Sequence, residues 1–229
     1  MMPFPVQWSD GSVTATMYPA RADRSLGATL VLAHGAGAGQ TSGFMVQFAQ
    51  ALADRGLDVV TFNFLYTEQR RRVPDPPARL EACYRAVVAR VSTMQPIGGR
   101  PLFIGGKSMG GRIATHIAAG PDLDAVSGLV LLGYPLHPPG KPLQLRARHL
   151  PAITKPMLFI QGSKDAFGTP AELQPVLTPL GSRAEVWIVE DGDHSFKVPK
   201  GATGRQSEVY AGIQTRIVDW IGEVAGRTI

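Results

Sequence analysis

The stretch Pro101-Leu102-Phe103-Ile104-Gly105-Gly106-Lys107-Ser108-Met109-Gly110-Gly111-Arg112 constrains this chain more than any other. An apolar run of strand length meets Gly-x-Ser-x-Gly and then a helical pattern, which predicts a sharp strand-to-helix turn with Ser108 at its tip. Such a turn strains the backbone at the serine, while Gly106 and Gly110 leave no side chain to collide with neighbouring elements. A serine presented in this way is a candidate nucleophile. Gly106-Lys107-Ser108 also looks like the tail of a phosphate-binding loop. That loop needs a glycine where Pro101 stands, and residues 102–104 read as strand, so nucleotide binding is set aside.

The rest of the chain repeats the strand-then-helix rhythm. Residues 13–18 alternate as an opening strand, and 29–33, 59–64, 102–105, 128–132, 157–161 and 184–189 read as further strands, most of them buried runs. Helical spacing appears over 44–55, 78–94 and 207–224. The pattern predicts an α/β class with a mostly parallel central sheet flanked by helices. With 229 residues, one domain spanning 1–229 suffices. Residues 65–77 and 134–156, rich in Pro and Arg, interrupt the rhythm as expected substrate-side loops. They are too short for a separate cap domain, which predicts a fairly open site.

A serine hydroxyl needs a base at neutral pH, and histidine suits that exchange. Among the histidines, His34 belongs to an earlier motif, and His116 lies roughly 12 Å along the helix after Ser108 by the rise per residue. His137 and His149 fall in the proline-rich insertion. His194 sits in Glu190-Asp191-Gly192-Asp193-His194-Ser195-Phe196, a polar loop directly after the last expected strand, and is the candidate base. The base needs a carboxylate to fix its tautomer and stabilise its charged form. Asp165 follows the strand at 157–161 through Gly162-Ser163-Lys164 and takes that place. Asp191 and Asp193 would have to fold back tightly on His194, so solvation or loop-shaping suits them better.

Attack on a carbonyl leaves charge on oxygen, and preorganised N–H donors must meet it. One expected donor is the amide of Met109. The other is expected from the loop His34-Gly35-Ala36-Gly37-Ala38-Gly39, with Ala36 as the candidate and His34 as a residue that shapes the loop. This loop does not keep the spacing of a dinucleotide fingerprint, and the strand ending near Asn63 offers no acidic residue for a ribose.

Taken together, these residues resemble the α/β-hydrolase superfamily over nearly the whole chain, in the order Ser, Asp, His. Leu32-Ala33-His34-Gly35-Ala36-Gly37, Phe62-Asn63-Phe64, Gly106-Lys107-Ser108-Met109-Gly110-Gly111-Arg112 and Tyr134-Pro135-Leu136-His137 are similar to the testis-expressed-protein-30-like branch, near the dienelactone-hydrolase-like enzymes. Dienelactone hydrolases proper use a cysteine nucleophile. This chain has Ser108 there, and its single cysteine, Cys83, reads as a buried helix position, so their substrate does not carry over. The resemblance implies the fold and a serine acyl-transfer mechanism, and the triad candidates themselves predict a serine esterase or thioesterase acting on a small-molecule ester without metal or organic cofactor. It also implies an alternative, a non-catalytic binding protein or complex subunit. Tyr66, Arg70, Tyr134, His137 and Phe167 are the candidate substrate contacts.

Composition narrows the partners. The net charge of +5 is modest, and Arg70, Arg71 and Arg72 form a small basic cluster without the aromatic-interleaved stripe of a nucleic-acid surface. No run approaches the roughly 20 apolar residues of a membrane span, and Met1-Met2-Pro3-Phe4-Pro5 lacks the charged-then-apolar layout of a secretion signal. With one cysteine and no internal disulfide, a cytoplasmic setting is expected, with neither nucleic acid nor membrane as partner.

Overall fold

The computed structural model describes residues 1–94, 98–121, 123–199 and 206–226. Among them, eight strands form one sheet in the order β1-β2-β4-β3-β5-β6-β7-β8. They are β1 (Met2–Trp8), β2 (Gly11–Tyr18), β3 (Thr29–Ala33), β4 (Asp58–Phe62), β5 (Leu102–Lys107), β6 (Val126–Leu132), β7 (Met157–Gly162) and β8 (Ala184–Val189). β1 and β2 form an antiparallel hairpin, β2 runs antiparallel to β4, and the remaining pairings are parallel.

Parallel strands need crossovers, and helices supply most of them. α1 (Gly43–Asp54) joins β3 to β4, and α2 (Leu65–Glu68) and α3 (Pro77–Ser92) lie between β4 and β5. α4 (Met109–Ala118) follows β5, α5 (Pro170–Leu177) follows β7, and α6 (Gln206–Val224) follows β8. The central strands are apolar on both faces because both faces are covered. Leu30 and Leu32 of β3 pack in a cluster with Phe48 and Leu52 of α1 and Ile213, Ile217 and Ile221 of α6. Val31 and Ala33, pointing the other way, share a second cluster with Val87 of α3, Ile113 of α4 and Leu173 of α5. Tyr84 of α3 drives its hydroxyl between β3 and β5, accepting the Gly105 N–H at 2.9 Å while lying 2.6 Å from the Gly105 carbonyl oxygen.

From β3 the chain first builds outward through β4 and then returns to place β5 on the other side of β3. The crevice at such a reversal, beyond the carboxyl ends of the strands, is where open α/β sheets bind ligands. Here it lies between the end of β3, carrying His34, and the end of β5, carrying Ser108.

Three details depart from the sequence expectation. β1 was not anticipated: Pro3 and Pro5 argue against a strand, but β1 pairs on one side only, and an edge strand tolerates proline. β4 ends at Phe62 rather than at residue 64, because the Asn63 side chain turns to accept the Gln40 N–H and to donate to Glu68. α5 is set by a Thr169–Glu172 capping box with Pro170 in its first turn, although Pro175 interrupts the pattern. No inserted cap domain occurs among the described residues. The insertion at 134–156 folds back on α4, where Thr115 Oγ1 lies 2.8 Å from His149 Nε2.

Candidate active site

Ser108 stands between β5 and α4 with φ 51° and ψ −113°, a conformation L residues rarely hold. Its amide donates to Leu132 O of β6 at 2.9 Å. The turn closes only because two flanking residues lack side chains. A Cβ at Gly106 would stand 2.5 Å from Ala33 O, and one at Gly110 would meet the same oxygen at 2.5 Å.

A continuous hydrogen-bonded chain leads from this serine into the protein. His194 Nε2 lies 2.8 Å from Ser108 Oγ, and its Nδ1 lies 2.8 and 3.0 Å from the two carboxylate oxygens of Asp165. With Nδ1–H donating to the carboxylate, Nε2 is left to accept the serine proton. The Asp165 side chain is fully buried, while that of His194 is 21% exposed. Phe167 stacks on the imidazole with ring centroids 4.2 Å apart. The rival carboxylates do other work. Asp193 accepts the Ser195 and Lys197 amides at 2.7 and 2.9 Å, and Asp191 pairs with Lys164 at 2.6 Å.

Asp165 is itself held. Its Oδ1 accepts the Phe167 N–H at 2.8 Å, and its Oδ2 accepts from Gln161 Nε2 at 2.8 Å. Gln161, fully buried on β7, in turn accepts the Tyr134 N–H at 2.8 Å and donates to Gly168 O at 2.6 Å. Sequence reasoning missed this residue. An amide closing a run of strand-forming residues was the available signal, since a buried amide needs partners.

The loop after β3 is fixed by His34. Its Nε2 accepts the Phe64 N–H at 3.1 Å, so the proton sits on Nδ1, which donates to Gly35 O at 2.8 Å. Burial lowers the pKa of this fully enclosed ring, only partly opposed by the bond to Gly35. Pinning Gly35 O also fixes the opposite end of that peptide plane, the Ala36 N–H. Tyr66 supports the loop from behind, its hydroxyl donating to Ala36 O at 2.8 Å. Met109 is the first residue of α4, so its amide has no intrahelical acceptor. Ala36 and Ser108 share a cavity of about 510 Å³ with Phe44, Met45, Phe167, His194 and Tyr210 on its walls.

A model of the alpha/beta hydrolase domain matches residues 27–222. The chain belongs to that family. Solved structures of similar fold include an α/β serine hydrolase without lid from Xanthomonas campestris, with TM-score 0.74 and 19% identity over 95% of this chain and 94% of that one. A dienelactone hydrolase from Anabaena variabilis gives TM-score 0.74 and 18% identity over 97% and 99%. An α/β serine hydrolase homologue from Coxiella burnetii gives 0.70 and 17% over 97% of each chain.

Against this family fold, the expected substrate contacts separate. Phe167 lines the cavity beside Ser108, whereas Tyr66, Arg70, Tyr134 and His137 are not on its walls. Tyr134 is buried in the core, with its hydroxyl donating to Arg146 O at 2.7 Å. His137 is buried with Nδ1 at 2.9 Å from Pro138 O. Arg70 is exposed at a left-handed turn after α2. Tyr66 faces a second cavity of about 380 Å³ on the loop residues Ala36 to Ala38, shared with Thr67, Arg71 and Arg72. Rings in proline-rich segments suggested binding, but here the insertions use them to anchor backbone. Cys83 is buried, and burial pushes its thiol up to about 12, far from the range of a reactive thiolate. Among the described residues, no group of three or more His, Cys, Asp or Glu is arranged to hold a metal, and no helix is long and apolar enough to cross a membrane.

Proposed function

We propose that this protein is a serine esterase or thioesterase with Ser108 as nucleophile, His194 as base and Asp165 as its orienting acid. The observation that carries this reading is the unbroken Asp165–His194–Ser108 chain opening into an apolar-walled cavity. Ser108 Oγ attacks the carbonyl carbon as its proton passes to His194 Nε2, and the buried Asp165 carboxylate stabilises the imidazolium. The amides of Ala36 and Met109 are the donors for the oxyanion. Collapse expels the alcohol or thiol, which takes the proton from His194. Water, activated by the same nitrogen, then releases the acid from the acyl-serine.

The walls formed by Phe44, Met45, Phe167 and Tyr210 suit a small, mainly apolar acyl or alcohol group. A free, buried cysteine agrees with a cytoplasmic setting. Short-chain nitrophenyl esters and a fluorophosphonate probe offered to the wild type and to Ser108→Ala test the assignment. We expect turnover and labelling of the wild type, with kcat reduced more than about 10⁴-fold and labelling abolished in the variant. Equal labelling of both would remove Ser108 from the role. A wild type inert to a broad ester panel, but recovered with a stable protein partner, would favour a binding subunit.

A further inference from the structure

The lysine inside the elbow motif is not used by the mechanism above, yet it touches the candidate base. Lys107 ends β5, and its ammonium donates to the backbone carbonyl of His194. The same nitrogen stands 5.2 Å from the centroid of the Phe196 ring. Space for it is reserved by Gly133 at the end of β6: a Cβ there would lie 2.8 Å from Lys107 Nζ and 3.1 Å from His194 O. We infer that Lys107 is a positioning residue, tying the strand that presents Ser108 to the loop that presents His194.

The inference rests on the role proposed for Ser108 and His194. A backbone tie matters here because His194 follows β8 whereas Ser108 follows β5, and two other strands lie between them. The side chains meet only if the loop at 190–199 holds its position. Asp193 shapes that loop internally, Gly192 O and the Asp191 amide tie it to the loop after β7, and Lys107 ties the backbone of His194 to the elbow. The charged groups facing the ammonium are Asp165 from the loop after β7 and Asp193 from the loop after β8, with the His194 imidazole beside them. Lys197 and Tyr210 share the same cavity. Burial pushes the lysine down to about 8, with Asp165 and Asp193 opposing the shift.

The tie therefore has an alkaline limit with a distinctive sign. As pH rises through about 8, the folded protein loses the charged donor and kcat falls. An unfolded lysine keeps its proton to about 10.5, so between those values the unfolded chain binds more protons and stability increases. Activity and stability should move in opposite directions.

The experiment compares wild type, Lys107→Met and Lys107→Arg by ester kinetics, urea midpoints and the ¹⁵N shift of the His194 imidazole, each against pH. Lys107→Met should retain its fold and lose about 10- to 100-fold in kcat with little change in KM, as expected for a displaced base. Lys107→Arg should recover most of the rate and keep it flat through pH 8. Wild-type kcat and an unchanged pH profile in Lys107→Met would overturn the inference. If the wild type hydrolyses no ester, the role proposed for Ser108 fails, and the imidazole shift still decides the tie. An imidazole shift displaced in Lys107→Met and restored in Lys107→Arg supports it, and the same shift in all three proteins overturns it.

Discussion

The loops after β3 and β8 each bring a histidine to the same crevice, and the two rings are held in opposite ways. Both nitrogens of His34 meet backbone groups, the Phe64 N–H and the Gly35 carbonyl, inside a fully enclosed site. Neither nitrogen is free to exchange a proton, and the ring acts as a fixed spacer that sets the Ala36 peptide. His194 has a carboxylate on one nitrogen and a hydroxyl on the other, with a partly open face. The difference teaches that the partners of an imidazole, more than its presence at a strand end, decide whether it is a base or a brace.

The sharpest way to break the contrast is Asp165→Asn. An amide can donate to Nδ1 and force the wrong tautomer, so kcat on a nitrophenyl ester should fall about 10⁴-fold while the circular dichroism spectrum is retained. Wild-type turnover would return Asp191 and Asp193 to consideration. His34→Phe tests the brace. It keeps a ring against Phe64 but frees the Gly35–Ala36 peptide, and we expect kcat to drop about 10²-fold with the shape of the pH–rate profile unchanged. A shifted profile would mean that His34 exchanges protons after all.

Two smaller effects sharpen the contrast. Gln161→Leu removes a donor from Asp165 and leaves the Tyr134 N–H and Gly168 O without their buried partner, at a cost of about 1–3 kcal/mol in the unfolding free energy read from urea denaturation. Histidines enclosed enough to resist protonation, His34 fully and His149 partly, also leave a trace in stability. Burial lowers the pKa of His34, and burial with His116 and Arg112 nearby lowers that of His149 to about 4. The unfolded chain takes up those protons near pH 6.5, so stability contributed by neutral His149 should decline as pH falls from there toward 4. His149→Asn should flatten part of that decline, measured as urea midpoints at pH 7 and pH 5.

Much of the fold was legible because buried parallel strands write themselves as continuous apolar runs, and β3, β5, β6 and β7 do so. β1 was hidden by Pro3 and Pro5, whose compatibility with a strand depends on lying at an edge, a property of sheet order. In the site, Ser108, Asp165 and His194 could be singled out because each follows a strand in the chain order of the family motif. The cavity walls could not. Phe44 and Tyr210 come from α1 and α6, which meet only after the sheet is covered, whereas Tyr134 and His137 turn inward because their insertion packs on α4 and the loop after β7.

By itself, then, the sequence determined the elbow at Ser108, since glycines at 106 and 110 and an apolar strand before them are local requirements of a tight turn. It also determined the order of strands and helices along the chain, through the period of the apolar residues. Tertiary structure alone decided how closely His194 meets the hydroxyl and the carboxylate, that Gln161 holds Asp165, and that Lys107 reaches the His194 carbonyl. Those contacts join segments 29 to 87 residues apart, or turn on which side of a buried strand an amide finds partners. Local pattern carries no information about either.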